Sequence, residues 1–202
     1  MSRGFSARSF RHGVRSYEVV RVLLGYVYAG RPLSILDLTY GVGRFYRLGK
    51  AMIGRIVAVD VRKYEWEVEP TVFYQVDCRV FVDRVLKGEI ELGDIDIIVV
   101  DPPWSHEKRG AAARETGVSR QPYHLRGVDS RSIIQAALKL AKVLGKPLLY
   151  RYREPLPCNH LVLATVEVKM MHNKGHIYYG VCTPPLSAHR KTTYTTVLDT
   201  VV

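Results

Sequence analysis

The feature that most constrains the fold is a hydrophobic run at residues 95–100, IDIIVV, which ends in Asp101-Pro102-Pro103-Trp104. Such a run, rich in β-branched residues, is typical of a strand buried on both faces of a parallel α/β sheet. Proline cannot donate to a sheet ladder, so the strand must end there and the chain must leave the sheet. Because ligands of open α/β sheets bind just beyond the carboxyl ends of the strands, residues 101–104 are predicted to lie where chemistry takes place.

These four residues offer groups that suit a planar amino group. The two prolines have fixed φ angles and hold their carbonyls in place, so that with the Asp101 carboxylate they form a rigid set of acceptors. Acceptors on the two protons of a base amine push electron density onto its nitrogen, which is otherwise a poor nucleophile. Trp104 offers a face on which a flipped base can stack. The alternative is a Pro-Pro turn after a buried strand, with an incidental tryptophan.

The motif resembles the signature of the amino-methyltransferases, Asp/Asn/Ser-Pro-Pro followed by Tyr, Phe or Trp. These enzymes methylate exocyclic nitrogens of adenine or cytosine and, in one branch, the side-chain amide of glutamine. The resemblance implies that Asp101, Pro102, Pro103 and Trp104 are the catalytic residues. Asp101 would act as acceptor and orienter of the amine, and no metal is implied.

A second pattern lies upstream, in residues 34–61. It consists of a strand at 34–38, a turn with Gly41 and Gly43, a predicted helix, and a second strand at 55–61 that carries Asp60 near its end. Glycines at a strand-to-helix turn let a ligand approach the backbone closely. An acid at the end of the second strand typically holds ribose hydroxyls. A dinucleotide-binding reductase shares this pattern, but it would not predict the motif at residues 101–104.

Taken together, the stretch resembles the S-adenosyl-L-methionine site of class I methyltransferases. The resemblance implies that cofactor, with Asp37 near the methionine ammonium group, Asp60 on the ribose and Asp77, after a third strand at 71–76, near the adenine amine. The commonest turn of the family has three alternating glycines, and Thr39 replaces the first of them here. The predicted cofactor-binding residues are Asp37, Thr39, Tyr40, Gly41, Gly43, Asp60, Asp77 and Cys78.

The remaining elements follow from hydrophobic periodicity. Helices are predicted at 16–28, 81–86 and 129–144, and strands at 147–152, 161–170 and 177–182, the last two close enough for an antiparallel hairpin. The predicted fold is α/β and Rossmann-like, that of a class I methyltransferase, with a mostly parallel seven-stranded sheet, a reversed C-terminal strand and helices on both faces. A single domain spanning residues 1–202 is expected. The tail at 184–202 is predicted to be either a final strand or a crossing tail.

The chain is strongly basic, with a formal net charge of +11, which makes nucleic acid the first candidate partner. The alternative is a merely basic protein, either from a thermophile or from the neighbourhood of the ribosome. Residues 1–16 are predicted to form a basic arm, which either contacts nucleic acid or covers the cofactor. The alternative is a frayed terminus. Residues 105–128 lack apolar periodicity and are predicted to be a substrate loop, or else a solvated insert. The predicted substrate-binding residues are His106, Lys108, Arg109, Arg114, Arg120, Tyr123 and Arg126.

The three cysteines, Cys78, Cys158 and Cys182, are odd in number and widely spaced. Without a Cys-x-x-Cys pair they predict neither a disulfide framework nor a zinc ribbon. His172 and His176 have the spacing of half a zinc site, but no cysteine pair accompanies them, so surface histidines and no metal are expected. The absence of a signal peptide and of a membrane-length apolar run predicts a cytoplasmic protein without membrane contact. The oligomeric state is left open.

Among amino-methyltransferase substrates, structured RNA is favoured, because the 202 residues include no added target-recognition domain of the kind that DNA-modifying enzymes usually carry. Ribosomal or transfer RNA is the expected target, and the sequence does not distinguish adenine N6 from cytosine N4. Three alternatives remain: a DNA amino-methyltransferase, a protein glutamine N5-methyltransferase, and a non-catalytic RNA-binding module on the same fold.

Overall fold

A computed structural model describes residues 6–10, 15–102, 130–169, 174–184 and 196–197. The strands in these ranges are β1 (Ser6–Phe10), β2 (Leu33–Asp37), β3 (Ile53–Asp60), β4 (Val72–Gln75), β5 (Ile97–Val100), β6 (Leu148–Tyr152), β7 (His160–Lys169), β8 (Lys174–Cys182) and β9 (Thr196–Val197). The α-helices are α1 (Ser16–Val27), α2 (Cys78–Leu86) and α3 (Ser130–Leu144), and two 3-10 helices span Arg44–Tyr46 and Lys50–Met52.

The strands form one sheet in the order β4-β3-β2-β5-β6-β8-β7-β1-β9. The five neighbouring strands β4, β3, β2, β5 and β6 pair in parallel. Strand β8 runs antiparallel to both β6 and β7. The chain leaves β2 for β3 and β4 on one side and returns to β5 on the other, which makes the β2/β5 boundary the topological switch point. This mostly parallel sheet with a reversed strand near the C-terminus confirms the predicted Rossmann-like class I methyltransferase fold.

Two strands extend the predicted seven. β1 lies within the residues predicted to be a basic arm, and it pairs in parallel with β7, while β9 pairs with β1. The expectation that residues 1–16 form only an arm is therefore wrong for residues 6–10. The physical reason is that the outer edge of β7 presents backbone N–H and C=O groups, which an added strand satisfies. Of the two predictions for the tail, a strand is the one that residues 196–197 show.

Helices cover both faces of the sheet because each carries one apolar stripe. Helix α3 buries Ile133, Ala137 and Leu140, and together with α2 it packs on the face that carries Leu36 and Ile98. On the other face, α1 packs its own stripe, Val19, Val20, Leu23 and Leu24. All four residues of β5 are fully buried between these layers, as its unbroken apolar sequence predicts. No helix in the described ranges is long and apolar enough to span a membrane.

The predicted helix after the glycine turn is not an α-helix. Between β2 and β3 the described chain has only the two 3-10 helices, of one turn each. Gly49 separates them, and the phenol of Tyr46 is buried against the Asp37 carboxylate, so the segment folds back onto β2 at once. Nine residues interrupted in this way cannot extend into an α-helix of several turns.

The expectation of no disulfide is wrong. Cys158 and Cys182 are bonded, with Cα atoms 5.7 Å apart and a sequence separation of 24. The pairing of β7 with β8 places His160 opposite Cys182, and Cys158 lies two residues before His160. The pair is thus brought together by strand register and not by a short spacing, which is why the sequence pattern did not show it. Cys78 is buried in α2 as a free thiol.

A glycine in β8 makes room for a buried tyrosine of β6. A Cβ atom at Gly180 would lie 2.5 Å from the Tyr150 ring, closer than any normal contact. The ring cannot move aside easily, because its hydroxyl lies 2.7 Å from Nε2 of His160 and accepts a hydrogen bond from the Leu156 N–H at 3.2 Å. This position therefore requires glycine for packing.

We expect Gly180→Ala to lower the free energy of unfolding by about 1–3 kcal/mol, because the added methyl group overpacks the site. Gly25→Ala is the matched control: it lies within α1, with no described heavy atom within 4 Å of an added Cβ, and should raise stability by about 0.5–1 kcal/mol. Urea denaturation of the three proteins measures both effects. Equal stability of the two variants would contradict the packing role of Gly180.

Candidate functional site

Three carboxylates meet at the carboxyl edge of the sheet. Asp37 ends β2, Asp60 ends β3 and Asp101 directly follows β5. These strands are neighbours in the order β3-β2-β5, so the three acids stand in a row across the switch point. The structure thus brings together the predicted catalytic acid and two of the predicted cofactor-binding acids.

The turn after β2 is tied to both neighbouring strands. The Leu38 N–H donates to the Val99 carbonyl at 3.0 Å, and the Tyr40 N–H donates to the Val59 carbonyl at 3.1 Å. Gly41, at φ +59°, donates its N–H to Asp60 Oδ2 at 2.9 Å. A left-handed φ of this kind favours glycine.

The two glycines of the turn have different structural roles. A Cβ at Gly43 would lie 2.6 Å from the Tyr40 hydroxyl, so that glycine is required by internal packing. At Gly41, in contrast, no described heavy atom lies within 4 Å of an added Cβ. Gly41 is therefore the point of the turn at which a ligand can approach the backbone closely.

Asp60 is almost buried, with 8% of its surface exposed, and both carboxylate oxygens meet backbone donors. Oδ2 accepts from the Gly41 N–H and Oδ1 from the Arg62 N–H at 3.0 Å. Burial raises its pKa, while these hydrogen bonds act in the opposite direction. Each carboxylate oxygen can accept a second hydrogen bond, so Asp60 is able to bind hydroxyl groups while it holds the turn.

Asp37 is buried and faces inward. Its Oδ1 accepts from the Thr39 N–H at 2.9 Å and its Oδ2 from the Tyr46 hydroxyl at 2.6 Å. Burial raises the pKa of Asp37 to about 7, the charges of Asp101 and Asp60 add to that rise, and the two hydrogen bonds oppose it. Both oxygens therefore serve the turn, and any contact to a cationic ligand comes in addition to that structural role.

Asp101 is held from two sides. Its backbone N–H donates to Thr39 Oγ1 at 2.6 Å, and its Oδ2 accepts from the Arg151 guanidinium at 2.9 Å. The parallel register pairs Val100 with Tyr150, which places the next residue of each strand side by side. Thr39, the residue predicted to replace a glycine of the commonest methyltransferase turn, thus positions the turn after β5.

Arg151 is the residue that sequence reasoning missed. Its guanidinium is partly buried and lies 5.8 Å from the centre of the Tyr179 ring. Burial acts to lower the pKa of Arg151, but Asp101 and Tyr179 raise it by more, so the guanidinium stays charged. One signal was present in the sequence: a single arginine inside the otherwise hydrophobic strand β6, LLYRY.

The other predicted cofactor residues support the frame of the site. Asp77 caps α2 and binds the Arg79 guanidinium at 2.6 Å; the hydrogen bonds from Arg79 lower its pKa. Cys78 is buried, and burial raises the pKa of its thiol to about 12. Tyr40 donates to the Val68 carbonyl at 2.6 Å and stacks on Tyr46.

Part of the predicted site lies outside the described residues. Pro102 is described and is buried directly after Asp101. The residues outside the described ranges are Pro103, Trp104, His106, Lys108, Arg109, Arg114, Arg120, Tyr123 and Arg126.

Comparison with known proteins gives only distant similarities. No protein-family model matches the chain, and no curated protein matches it. Among solved structures, a SAM-dependent methyltransferase from Agrobacterium tumefaciens is similar at 15% identity and a TM-score of 0.48, over 83% of this chain and 60% of that one. An rRNA methylase from Streptococcus thermophilus is similar at 11% identity and a TM-score of 0.44, over 85% and 98% of the two chains.

A third similar structure is a putative methyltransferase from Streptococcus mutans in complex with SAH, at 11% identity and a TM-score of 0.43, over 84% of this chain and 99% of that one. This chain spans 60% of the length of the Agrobacterium protein.

The pKa of Asp37 predicts a pH-dependent stability. Because its folded pKa of about 7 exceeds the ordinary 3.8, the folded state holds this proton more tightly than the unfolded state. The resulting stabilisation is complete below the ordinary value and is lost as the pH rises through about 7. We therefore expect Asp37→Asn to be more stable than the wild type at pH 8, by about 2–4 kcal/mol, and to lose less stability between pH 5 and pH 8.

Guanidinium denaturation across this pH range measures the difference. Asp94 is an exposed acid that lies before β5 in the sequence. Asp94→Asn therefore serves as the control for the same change in net charge. Parallel pH profiles of the wild type and Asp37→Asn would contradict the raised pKa.

Proposed function

We propose that this chain is an S-adenosylmethionine-dependent methyltransferase that acts on an exocyclic amino group of a base, adenine N6 or cytosine N4, in structured RNA such as ribosomal or transfer RNA. The observation that carries the proposal is the position of Asp101. It stands at the carboxyl end of β5, fixed by Thr39 and Arg151, in a row with the Asp60 carboxylate and its partner Gly41.

The charge of the site supports a cationic cofactor. Three carboxylates at the ends of β2, β3 and β5 create a negative potential. Its effect is seen at Asp37, where the charges of Asp101 and Asp60 add to the rise in pKa that burial causes. A dinucleotide would bring a pyrophosphate, which this row repels. S-adenosylmethionine brings a sulfonium and an ammonium group, which it attracts. The open side of Gly41 and the remaining acceptor capacity of Asp60 fit the close approach and the ribose of such a ligand.

When bound, the cofactor supplies an electrophilic methyl group. The contribution of the protein is orientation, because a fixed geometry replaces a bimolecular encounter. Asp101 accepts a hydrogen bond from the target amine and aims its lone pair, and Arg151 fixes the carboxylate oxygen Oδ2 while it stabilises the negative charge. Once methylated, the cationic amine loses its proton readily, so Asp101 acts as an acceptor and orienter and no strong base is needed.

Cation–aromatic pairs near the site support a nucleic-acid substrate. Arg62 lies over Tyr64 and Lys63 over Trp66 in the segment after β3, and Arg153 lies over Tyr152 at the end of β6. Both segments leave the sheet at the same edge as Asp101.

A further such pair stands at the start of α1. Arg15 and Arg47 flank the Tyr17 ring, at 5.9 and 5.7 Å from its centroid. Because α1 ends shortly before β2 begins, its first turn also lies towards the carboxyl ends of the strands. Basic and aromatic groups in this arrangement, with a net charge of +11, suit phosphates and bases. Structured RNA presents unpaired bases in its loops, which lowers the cost of placing a base in the site.

The proposal is tested with the purified protein, S-adenosylmethionine carrying an isotopically labelled methyl group, and three separate substrates: total RNA, DNA and protein. Mass spectrometry of nucleosides and amino acids should find the label in RNA, on adenine N6 or cytosine N4. Label only in DNA, or only on glutamine, would overturn the RNA assignment. No transfer together with no cofactor binding in calorimetry would overturn the enzyme assignment.

The ribose assignment predicts a loss of cofactor affinity. Asp60→Ala should weaken binding of S-adenosylmethionine by about 1–3 kcal/mol, because hydroxyl groups lose a charged acceptor. Asp94→Ala, which removes an exposed acid, should leave the affinity unchanged. Calorimetric titration of variants shown to be folded by circular dichroism measures both. An Asp60→Ala protein with wild-type affinity would remove the ribose assignment.

The orientation role predicts separable effects at Asp101 and Arg151. Asp101→Ala should abolish transfer with little loss of RNA affinity, since phosphate contacts carry most of that affinity. Asp101→Asn keeps an acceptor oxygen and should retain reduced activity. Arg151→Ala should lower the single-turnover rate roughly 10- to 100-fold, because it releases the orienting carboxylate.

Arg84→Ala is the control, since this exposed arginine lies near the end of α2 and pairs with Glu89. It should preserve the rate of methyl transfer. Near-native rates in Asp101→Ala would make the turn after β5 structural and would contradict its catalytic role.

A further inference from the structure

A second cluster of reactive side chains lies at the opposite edge of the sheet. β7 begins at His160 and β8 ends at Cys182, and Cys182 pairs with Leu148, the first residue of β6. This is the amino end of β6, whereas Asp101 lies beside its carboxyl end. Cys158, His160 and Cys182 each offer one ligand atom here, and these three atoms all lie within 4.8 Å of one another. All three residues are buried, and the proposed methyl transfer uses none of them.

The spacing of the cluster fits tetrahedral coordination. With Zn–S bonds of about 2.3 Å and Zn–N bonds of about 2.0 Å, a sulfur and a nitrogen that share a tetrahedral zinc ion lie about 3.5 Å apart. Cys158 Sγ and His160 Nε2 are separated by 3.5 Å. The Cα atoms of the two cysteines are 5.7 Å apart. After reduction, rotation of the side chains alone can therefore place the two sulfurs at two corners of one coordination tetrahedron.

The Tyr150 hydroxyl fixes the position of the His160 ring beside the two cysteines. The Leu156 N–H donates to the Tyr150 hydroxyl oxygen at 3.2 Å. The hydroxyl hydrogen of Tyr150 is then available for Nε2 of His160, which lies 2.7 Å away. In the tautomer with the proton on Nδ1, Nε2 carries the single lone pair of the ring, and a cation takes up this lone pair in place of the hydroxyl hydrogen.

We propose that, when the Cys158–Cys182 disulfide is reduced, Cys158, Cys182 and His160 bind a thiophilic divalent cation such as Zn²⁺. A thiol reductant supplies two electrons and two protons to the disulfide and leaves as its own disulfide. Cation binding then releases the two thiol protons to solvent. The cluster thereby exchanges a covalent link between the start of β7 and the end of β8 for a metal link between the same elements, and the two states exclude each other.

The proposal is tested on the full chain, reduced with dithiothreitol, freed of reductant without oxygen and titrated with Co²⁺. We expect one equivalent to bind, with the near-ultraviolet charge-transfer absorption of cobalt thiolates and visible bands of tetrahedral Co²⁺, which Zn²⁺ then displaces. The oxidised protein should show neither. His160→Ala and Cys158→Ser should weaken Co²⁺ binding at least tenfold, whereas Cys78→Ser, at the buried cysteine of α2, should bind like the wild type.

Reduced wild-type protein without thiolate bands would overturn the proposal, as would equal binding by the oxidised protein. If reduction unfolds the chain, thermal denaturation with and without Zn²⁺ decides. Zn²⁺ should restore the fold of the wild type and not that of His160→Ala. Failure to restore it in the wild type would leave a structural disulfide only.

Discussion

The site is arranged around three carboxylates that adjacent parallel strands bring to one edge of the sheet, where burial disfavours their charged forms. Each of them is stabilised in a different way. Asp60 receives backbone N–H groups from the turn after β2 and from the segment after β3, and Asp101 receives a guanidinium. Asp37 is bonded to the Tyr46 hydroxyl and the Thr39 N–H, and burial raises its pKa to about 7. Negative potential is thereby concentrated at the switch point.

Thr39 shows how one substitution in the glycine turn connects two parts of the site. Its backbone N–H holds Asp37, and its hydroxyl accepts from the backbone of Asp101. A glycine in that position would make the first bond and not the second. The cofactor turn and the turn after β5 are therefore physically coupled, so movement of one displaces the other. Under the proposed function, this coupling aligns the methyl donor with its acceptor.

Strand β6 links the two edges of the sheet. Its side chains alternate, so Arg151 lies on the face of α1 next to Tyr179, while Tyr150 lies on the opposite face above Gly180. Arg151 serves the site at the carboxyl edge, and the Tyr150 hydroxyl reaches the cluster of His160 and the two disulfide cysteines. Polar residues in a buried strand are costly unless they are partnered, and both of these residues are.

The sequence by itself determined most of the strands and α-helices and their order. The β-branched run before Asp101, the prolines after it and the glycines near Asp60 act locally, through backbone geometry and hydrophobic period, so they could be interpreted without the structure. Only the tertiary structure decided which distant residues meet. Arg151 reaches Asp101 through the register of β5 with β6, and Cys158 reaches Cys182 through that of β7 with β8. The tertiary structure also decided that no α-helix forms between β2 and β3, because the burial of Tyr46 against Asp37 outweighs local helix propensity.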